Sequence, residues 1–429
     1  MADDSAEDAS LPGVDPGFFA PDHAEGTYLA FGGRVTVPRL LLRALVCLVA
    51  LVLLDRLIAP TLAPPSAFLD SYRLPRTAPT AALASYADAI DRTASASDRP
   101  PVAIFLGASP TWGHRIRDRR ATYPYAYASA AASAGVAVRP FNLASNGQFV
   151  GDYYLIAKRL APDADIVFVQ LTYHTFSPTA REGRHVRYPE LPQVLGIGLS
   201  ADEARMLALT AGATAPGAGP APAPPSRLAF VDGALSRYWL LWRERDTIDT
   251  RLFGGHPQRA VADAVDRLRG AGAPSTPVST TVLPDDAADE AFASFETLDP
   301  ARQMVAIAQY AEDSAFTIDA KEGEVVVLDR LAALLAADGV KAVFYIAPLN
   351  RSIVDEYGLI DPKQYAANTA VLRGVVEARG ATFIDYNSGP VAVPGTEFAD
   401  ISHTTDAGGR IVGALLYRDT ASLLAGVTP

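Results

Sequence analysis

The sequence contains one cysteine, and its acidic residues outnumber its basic residues. A single cysteine, Cys47, excludes an intramolecular disulfide and a cysteine-based metal cluster. The 37 lysines and arginines against 48 aspartates and glutamates give a formal net charge of −11, which does not suit nucleic-acid binding. His185 and His256 lack metal-ligand spacing and are expected at the surface. We therefore expect no nucleic-acid partner, no metal and no cofactor.

The N-terminal end of the chain divides into an acidic tail and an apolar run. Residues 1–35 are rich in Asp, Ala, Gly and Pro, which predicts a disordered tail. Residues 36–62 are long and apolar enough for one transmembrane anchor, with a cleaved signal peptide or a buried helix as the alternatives. Because Arg34, Arg39 and Arg43 lie at its start, we expect a single-pass membrane protein with a cytoplasmic N-terminus and an exported C-terminal part.

The remainder is interpreted as a linker followed by one large domain. Residues 63–100 are rich in Pro, Ala, Ser and Thr and predict a linker with a short helix at about 80–93. The domain is expected over 101–429, with a large insertion at about 177–300. Within that insertion, residues 211–226 are almost wholly Ala, Gly, Pro and Thr, which is typical of a flexible loop.

Strand and helix patterns alternate at short spacing in the rest of this domain. The first strand pattern is apolar on both faces, as expected when helices cover both sides of a parallel sheet. We predict an α/β fold with a doubly wound, parallel, five-stranded sheet. The predicted strands lie at about residues 101–106, 136–143, 165–171, 340–347 and 381–386.

Residues able to carry out nucleophilic catalysis follow these strands or precede the last helix. Ser109 follows the first strand, and Asp400 and His403 precede an apolar helical pattern. Since ligands collect at the carboxyl edge of a parallel sheet, we expect these three residues to converge there. A serine hydroxyl needs a base, and a carboxylate keeps that imidazole in the right tautomer. We therefore predict Ser109 as nucleophile, His403 as base and Asp400 as its carboxylate, although a serine after a strand is also a common helix cap.

Two further residues complete this predicted site. The backbone N–H of Gly147, after the second strand, would join that of Ser109 in an oxyanion hole. His174 follows the third strand and is expected to donate a hydrogen bond to the same oxyanion. His114, Arg115 and Arg117 follow the serine on a predicted helix, and their side chains are expected to be solvated or hydrogen-bonded rather than catalytic.

Three short blocks resemble those of the SGNH (GDSL-like) hydrolase superfamily in the same order. They are Phe105-Leu106-Gly107-Ala108-Ser109, Asn142-Leu143-Ala144-Ser145-Asn146-Gly147 and Asp400-Ile401-Ser402-His403. The resemblance covers residues 101–176 and 325–425 and implies a flavodoxin-like sheet of the SGNH type and a Ser-His-Asp triad. The family often has aspartate in place of Ala108. A Gly-x-Asn-Asp block is usual after the third strand, and His174 stands in place of its asparagine.

The predicted anchor adds an expectation about substrate and partner. Single-span proteins with this domain resemble accessory proteins of envelope-glycan modification, such as alginate acetylation proteins and the D-alanyl transfer protein of teichoic acids. That analogy implies a serine esterase or O-acyltransferase that acts on acyl esters of an envelope polysaccharide beside a multi-span membrane O-acyltransferase. The alternative is a catalytically inactive scaffold or glycan-binding partner of such an acyltransferase.

Overall fold

The computed structural model describes residues 37–62, 74, 79–177, 184–209, 239, 241 and 293–425. The tail predicted over residues 1–35, the loop predicted over 211–226, His256 and most of the predicted insertion lie outside the described residues. The chain divides into two units, Met1–Leu53 and Leu54–Pro429, and the sheet belongs to the second unit.

A helix is present where the membrane anchor was predicted, namely α1 (Val37–Leu62). Cys47 is a free, exposed thiol on this helix. Within the part of the chain that the structure describes, no helix combines the length and the apolar character that a membrane crossing needs.

The described part of the second unit alternates strands and helices along the chain. Its strands are β1 (Val102–Leu106), β2 (Arg139–Asn142), β3 (Ile166–Leu171), β4 (Lys341–Ile346) and β5 (Thr382–Asp385). Its helices are α2 (Pro79–Ala94), α3 (Ser109–Trp112), α4 (Tyr123–Ser133), α5 (Val150–Leu160), α6 (Leu191–Val194), α7 (Ala201–Met206), α8 (Pro300–Ser314), α9 (Gly323–Ala337), α10 (Arg351–Glu356), α11 (Pro362–Glu377) and α12 (Asp406–Leu424).

The five strands form one parallel sheet in the order β2-β1-β3-β4-β5. This order is compatible with a flavodoxin-like fold. Phe105 of β1 lies opposite Asn142 of β2, and Leu106 lies opposite Val169 of β3. The predicted α/β class and five-stranded parallel sheet are confirmed, with each strand one to four residues shorter than its sequence pattern.

Helices cover both faces of the sheet, because alternate residues of each strand point into different clusters of buried side chains. Ile104 and Leu106 pack in one cluster with residues of α2, α5, α9 and α11. Phe105 packs in the other cluster with residues of α4 and α12. The strands are therefore buried on both faces, which explains their nearly continuous apolar sequences.

The region between the anchor pattern and β1 is more structured than a linker. Leu83, Tyr86 and Ile90 of α2 are buried in the same cluster as Ile104 of β1. The indole N–H of Trp112 donates a hydrogen bond to the carbonyl oxygen of Leu74 at 2.8 Å. The stretch expected as a linker over residues 63–100 therefore contributes a packed helix to the core.

Two helical features differ from the sequence interpretation. The polar sequence pattern from Trp112 to about Gly135 predicts one helical stretch. The structure breaks it after α3, where Gly113 adopts a left-handed conformation with φ of +86°. Helix α8 was not predicted, and its Ile307 and Tyr310 pack with Ile401 in a third buried cluster. This cluster holds the loop before α12 from one side.

Candidate active site

The turn after β1 places Ser109 at the carboxyl edge of the sheet. A Cβ on Gly107 would lie 2.9 Å from both Cβ and Oε1 of Gln170, so only glycine fits without displacing that side chain. Oε1 of the fully buried Gln170 accepts a hydrogen bond from the backbone N–H of Ala108 at 3.0 Å. The chain then turns directly into α3, whose first residue is Ser109. Neighbouring strand β3 thus determines where the serine lies.

Asp400 and His403 lie in a tight loop before α12. Phe398 and Thr404 form an antiparallel bridge that closes this loop. Oδ1 of Asp400 accepts hydrogen bonds from the backbone N–H groups of Ser402 at 2.9 Å and His403 at 2.8 Å. These bonds fold the loop around the carboxylate, which explains why a spacing of three residues lets Asp400 reach the His403 ring.

Ser109, His403 and Asp400 form a continuous hydrogen-bonded set. Nε2 of His403 lies 2.7 Å from Oγ of Ser109, and its Nδ1 lies 2.7 Å from Oδ2 of Asp400. Burial opposes ionisation of Asp400, but the adjacent His403 and the backbone N–H groups outweigh it and hold the pKa of this carboxyl well below its ordinary value. With Asp400 ionised, Nδ1 of His403 carries the proton and Nε2 is free to accept one from the serine.

The chain after α3 returns to this set, which the sequence did not predict. The His114 ring lies 5.2 Å from the His403 ring, centroid to centroid, and Nε of Arg115 lies 3.6 Å from Oδ2 of Asp400. The left-handed turn at Gly113 directs both residues towards the loop. The expectation that these side chains are solvated or hydrogen-bonded rather than catalytic stays a prediction. The usable signal for their position beside the set was a helix-ending glycine so soon after the serine.

The loop that carries Gly147 lies against the Ser109 turn. Nδ2 of Asn142 donates to the carbonyl oxygen of Thr111 at 3.0 Å, and the Ser145 N–H donates to the carbonyl oxygen of Gly107 at 3.3 Å. Gly147 has φ of +72°, a conformation that favours glycine. The N–H of Ser109 is the first of a helix and has no intrahelical acceptor. The role of both N–H groups in an oxyanion hole stays a prediction.

His174 lies in a 3-10 turn, Tyr173–Phe176, directly after β3. Its ring packs edge-to-face on Tyr310 of α8, with centroids 5.9 Å apart and planes at 70°. The turn is at the carboxyl edge of the sheet, as predicted, since β3 pairs with β1 in parallel. The hydrogen bond from its imidazole to an oxyanion stays a prediction.

We expected His185 at the surface, but its side chain is largely buried. Its Nδ1 lies 2.9 Å from Oε2 of Glu324, which is fully buried, and its own side chain is 12% exposed. Across the described ranges, no group of three or more His, Cys, Asp or Glu side chains is placed to hold a metal ion.

No family model matches this chain. No curated protein matches it either. The resemblance to SGNH hydrolases therefore depends on the three sequence blocks alone.

Proposed function

We propose that the protein is a serine-dependent enzyme that cleaves or transfers acyl esters. The observation that carries this proposal is the hydrogen-bonded set of Asp400, His403 and Ser109 at the carboxyl edge of the sheet. The side chains of His403 and Asp400 are 17% and 21% exposed, so the set opens to solvent rather than being sealed in the core.

In the proposed reaction, Oγ of Ser109 attacks the ester carbonyl carbon while Nε2 of His403 takes the hydroxyl proton. The tetrahedral intermediate collapses, the bond to the alcohol oxygen breaks, and His403 returns the proton to the leaving alcohol. Water or an acceptor hydroxyl then attacks the acyl-enzyme, with His403 again as base, and releases Ser109. Asp400 stabilises the imidazolium in both halves. The backbone N–H groups of Ser109 and Gly147, with His174, are the proposed oxyanion donors.

The fold type, the substrate and the partner are proposed from the sequence. The three blocks support an SGNH type of this sheet, and the analogy with envelope-modifying proteins supports an acylated polysaccharide as substrate. A multi-span membrane O-acyltransferase is the partner that the same analogy suggests. Location outside the cytoplasm and attachment to a membrane rest on the pattern at residues 36–62 and stay predictions.

A serine-directed fluorophosphonate tests the proposal on the full chain. We expect one stoichiometric adduct, absent in Ser109→Ala and retained in Ser133→Ala, a control at an exposed serine near the end of α4. Folded protein that takes up no label would contradict the proposal and favour the inactive scaffold or glycan-binding partner.

A further inference from the structure

An arginine outside the Ser-His-Asp set lies against the Gly147 turn. Nε of Arg187 lies 3.7 Å from the point that a Cβ on Gly147 would occupy. The residue is exposed, and in the described part of the chain no carboxylate forms an ion pair with it. A positive charge therefore faces solvent beside the proposed oxyanion glycine, and its guanidinium is not paired with a carboxylate of any described residue.

The backbone on both sides of this side chain is fixed by a buried acid. The carboxylate of Asp152, which is fully buried, accepts hydrogen bonds from the backbone N–H groups of Arg187 and Tyr188, each at 3.0 Å. The Tyr188 hydroxyl donates to the carbonyl oxygen of Asn146 at 2.8 Å. Arg187 is thus tied to the residue that precedes Gly147.

Close packing holds His185, two residues before Arg187, against two helices. Its carbonyl oxygen accepts a hydrogen bond from the Gly151 N–H at 3.0 Å, and a Cβ on Gly151 would lie 2.2 Å from that oxygen. A Cβ on Gly323 would lie 2.5 Å from the His185 ring, which is also bonded to Glu324. The absence of a side chain at both glycines permits this approach, and the segment from His185 to Tyr188 has little freedom to carry Arg187 elsewhere.

Charge then indicates what this arginine binds. A chain with a formal net charge of −11 repels anions unless a cation is placed locally. A guanidinium matches the two oxygens of a carboxylate or a phosphate group in a bidentate pair. The Gly147 loop is itself hydrogen-bonded to the Ser109 turn through Ser145 and Gly107.

We propose that Arg187 is a specificity-determining residue that binds a carboxylate or phosphate group of the substrate while its ester lies at Ser109. This inference rests on the proposed function and defines its substrate class as acyl esters that carry a negative charge near the ester.

Matched esters test the inference in the full-length protein. In the first comparison the charge is on the alcohol part of the ester, and 4-acetoxybenzoate and 4-acetoxyphenyl phosphate are compared with neutral 4-acetoxybenzamide. In the second comparison the charge is on the acyl group, and mono-4-nitrophenyl adipate is compared with neutral 4-nitrophenyl hexanoate. We expect kcat/KM to favour the charged ester by about tenfold or more in at least one comparison. Arg187→Gln should bring that ratio close to one, and Arg187→Lys should restore part of it. Arg205→Gln, at an exposed arginine on α7 that pairs with Asp202, should leave the ratio unchanged.

A binding measurement separates failure of this inference from failure of the proposed function. The Ser109→Ala variant can bind an ester but cannot turn it over. Saturation-transfer NMR therefore measures binding to this variant and to Ser109→Ala/Arg187→Gln. The ligands are 4-acetoxybenzoate, 4-acetoxyphenyl phosphate, mono-4-nitrophenyl adipate and their neutral counterparts. A preference for a charged probe that is lost in the double variant supports the inference even if wild type hydrolyses no ester, and the probe preferred distinguishes carboxylate from phosphate. Equal binding of charged and neutral probes, or a preference that survives Arg187→Gln, overturns it.

Discussion

Nε2 of His403 lies 2.7 Å from Oγ of Ser109, although 294 positions separate the two residues in the sequence. The contact joins the turn after the first strand to the loop before the last helix. In the proposed mechanism this pair functions as a unit, since a serine is a weak nucleophile without a base to take its proton.

The first prediction concerns the interdependence of this pair. Ser109→Ala and His403→Ala should each lower kcat for ester cleavage about as much as the double variant does, because neither residue acts without the other. Steady-state kinetics on the three variants checks this. Losses that add on a logarithmic scale would show that the two residues act independently.

Asp400→Asn should lower kcat while the protein remains folded. An amide can present its NH2 group to Nδ1 of His403, which places the imidazole proton on Nε2 and removes the acceptor for the serine proton. We expect a loss of up to about four orders of magnitude in kcat with little change in KM. A KM effect alone would assign Asp400 to substrate binding instead.

His174 is predicted to act differently from the base. As an oxyanion donor, its replacement by alanine should lower turnover by roughly a hundredfold to a thousandfold while fluorophosphonate still labels Ser109 slowly. If His174→Ala abolishes labelling and His403→Ala spares it, then His174 is the base and the Asp400–His403 assignment is wrong.

Gly107→Ala should destabilise the protein, because the added Cβ would lie 2.9 Å from the Gln170 side chain that holds the Ser109 turn. We expect a loss of about 1–3 kcal/mol in the free energy of unfolding, measured by urea denaturation. Gly374→Ala in α11 is the matched control, since a Cβ there meets no atom within 4 Å and should leave stability equal or slightly higher. Equal effects of the two variants would contradict the packing argument.

Stability should also depend on pH through Asp152. Burial raises the pKa of Asp152 to about 7, and the hydrogen bonds that its carboxylate accepts from backbone N–H groups offset only part of this rise. Because the folded pKa lies above the ordinary value of 3.8, folding takes up a proton on this group between about pH 4 and about pH 7. Its contribution to stability is therefore full below that window and lost as the pH rises through about 7.

The measurement is the free energy of unfolding at about pH 5 and about pH 8. Wild type should lose stability between these values by more than Asp152→Asn does, since the amide does not titrate. Asp202→Asn, at an exposed carboxylate, should behave as wild type. A pH dependence that is the same in wild type and Asp152→Asn would contradict this assignment.

Local sequence patterns predicted the sheet because each strand is an apolar run that ends in turn residues. They also brought Ser109, Asp400 and His403 to one edge, since parallel strands share a carboxyl end. They could not predict that His114 and Arg115 return to the same place, because that depends on the left-handed φ of Gly113. Packing contacts between distant segments leave no periodic signal in the sequence.

The helix α8 and the position of Arg187 were missed for a related reason. The mean hydropathy of α8 is low, and its packing on Ile401 and His174 is a contact between distant segments. The position of Arg187 depends on the hydrogen bond from its backbone N–H to the buried carboxylate of Asp152. In the sequence, Asp152 is a single acidic residue near the start of a helix, and that pattern does not show that it is buried.

Trapping the acyl-enzyme tests the central claim most directly. The full chain is mixed with 4-nitrophenyl acetate, quenched in acid during the first turnover, digested and mapped by mass spectrometry. We predict an acetyl group on the peptide that contains Ser109, with a burst of nitrophenol of matching amplitude, and neither signal in Ser109→Ala. Turnover with no acetyl group on Ser109, or an equal burst from Ser109→Ala, would contradict the account.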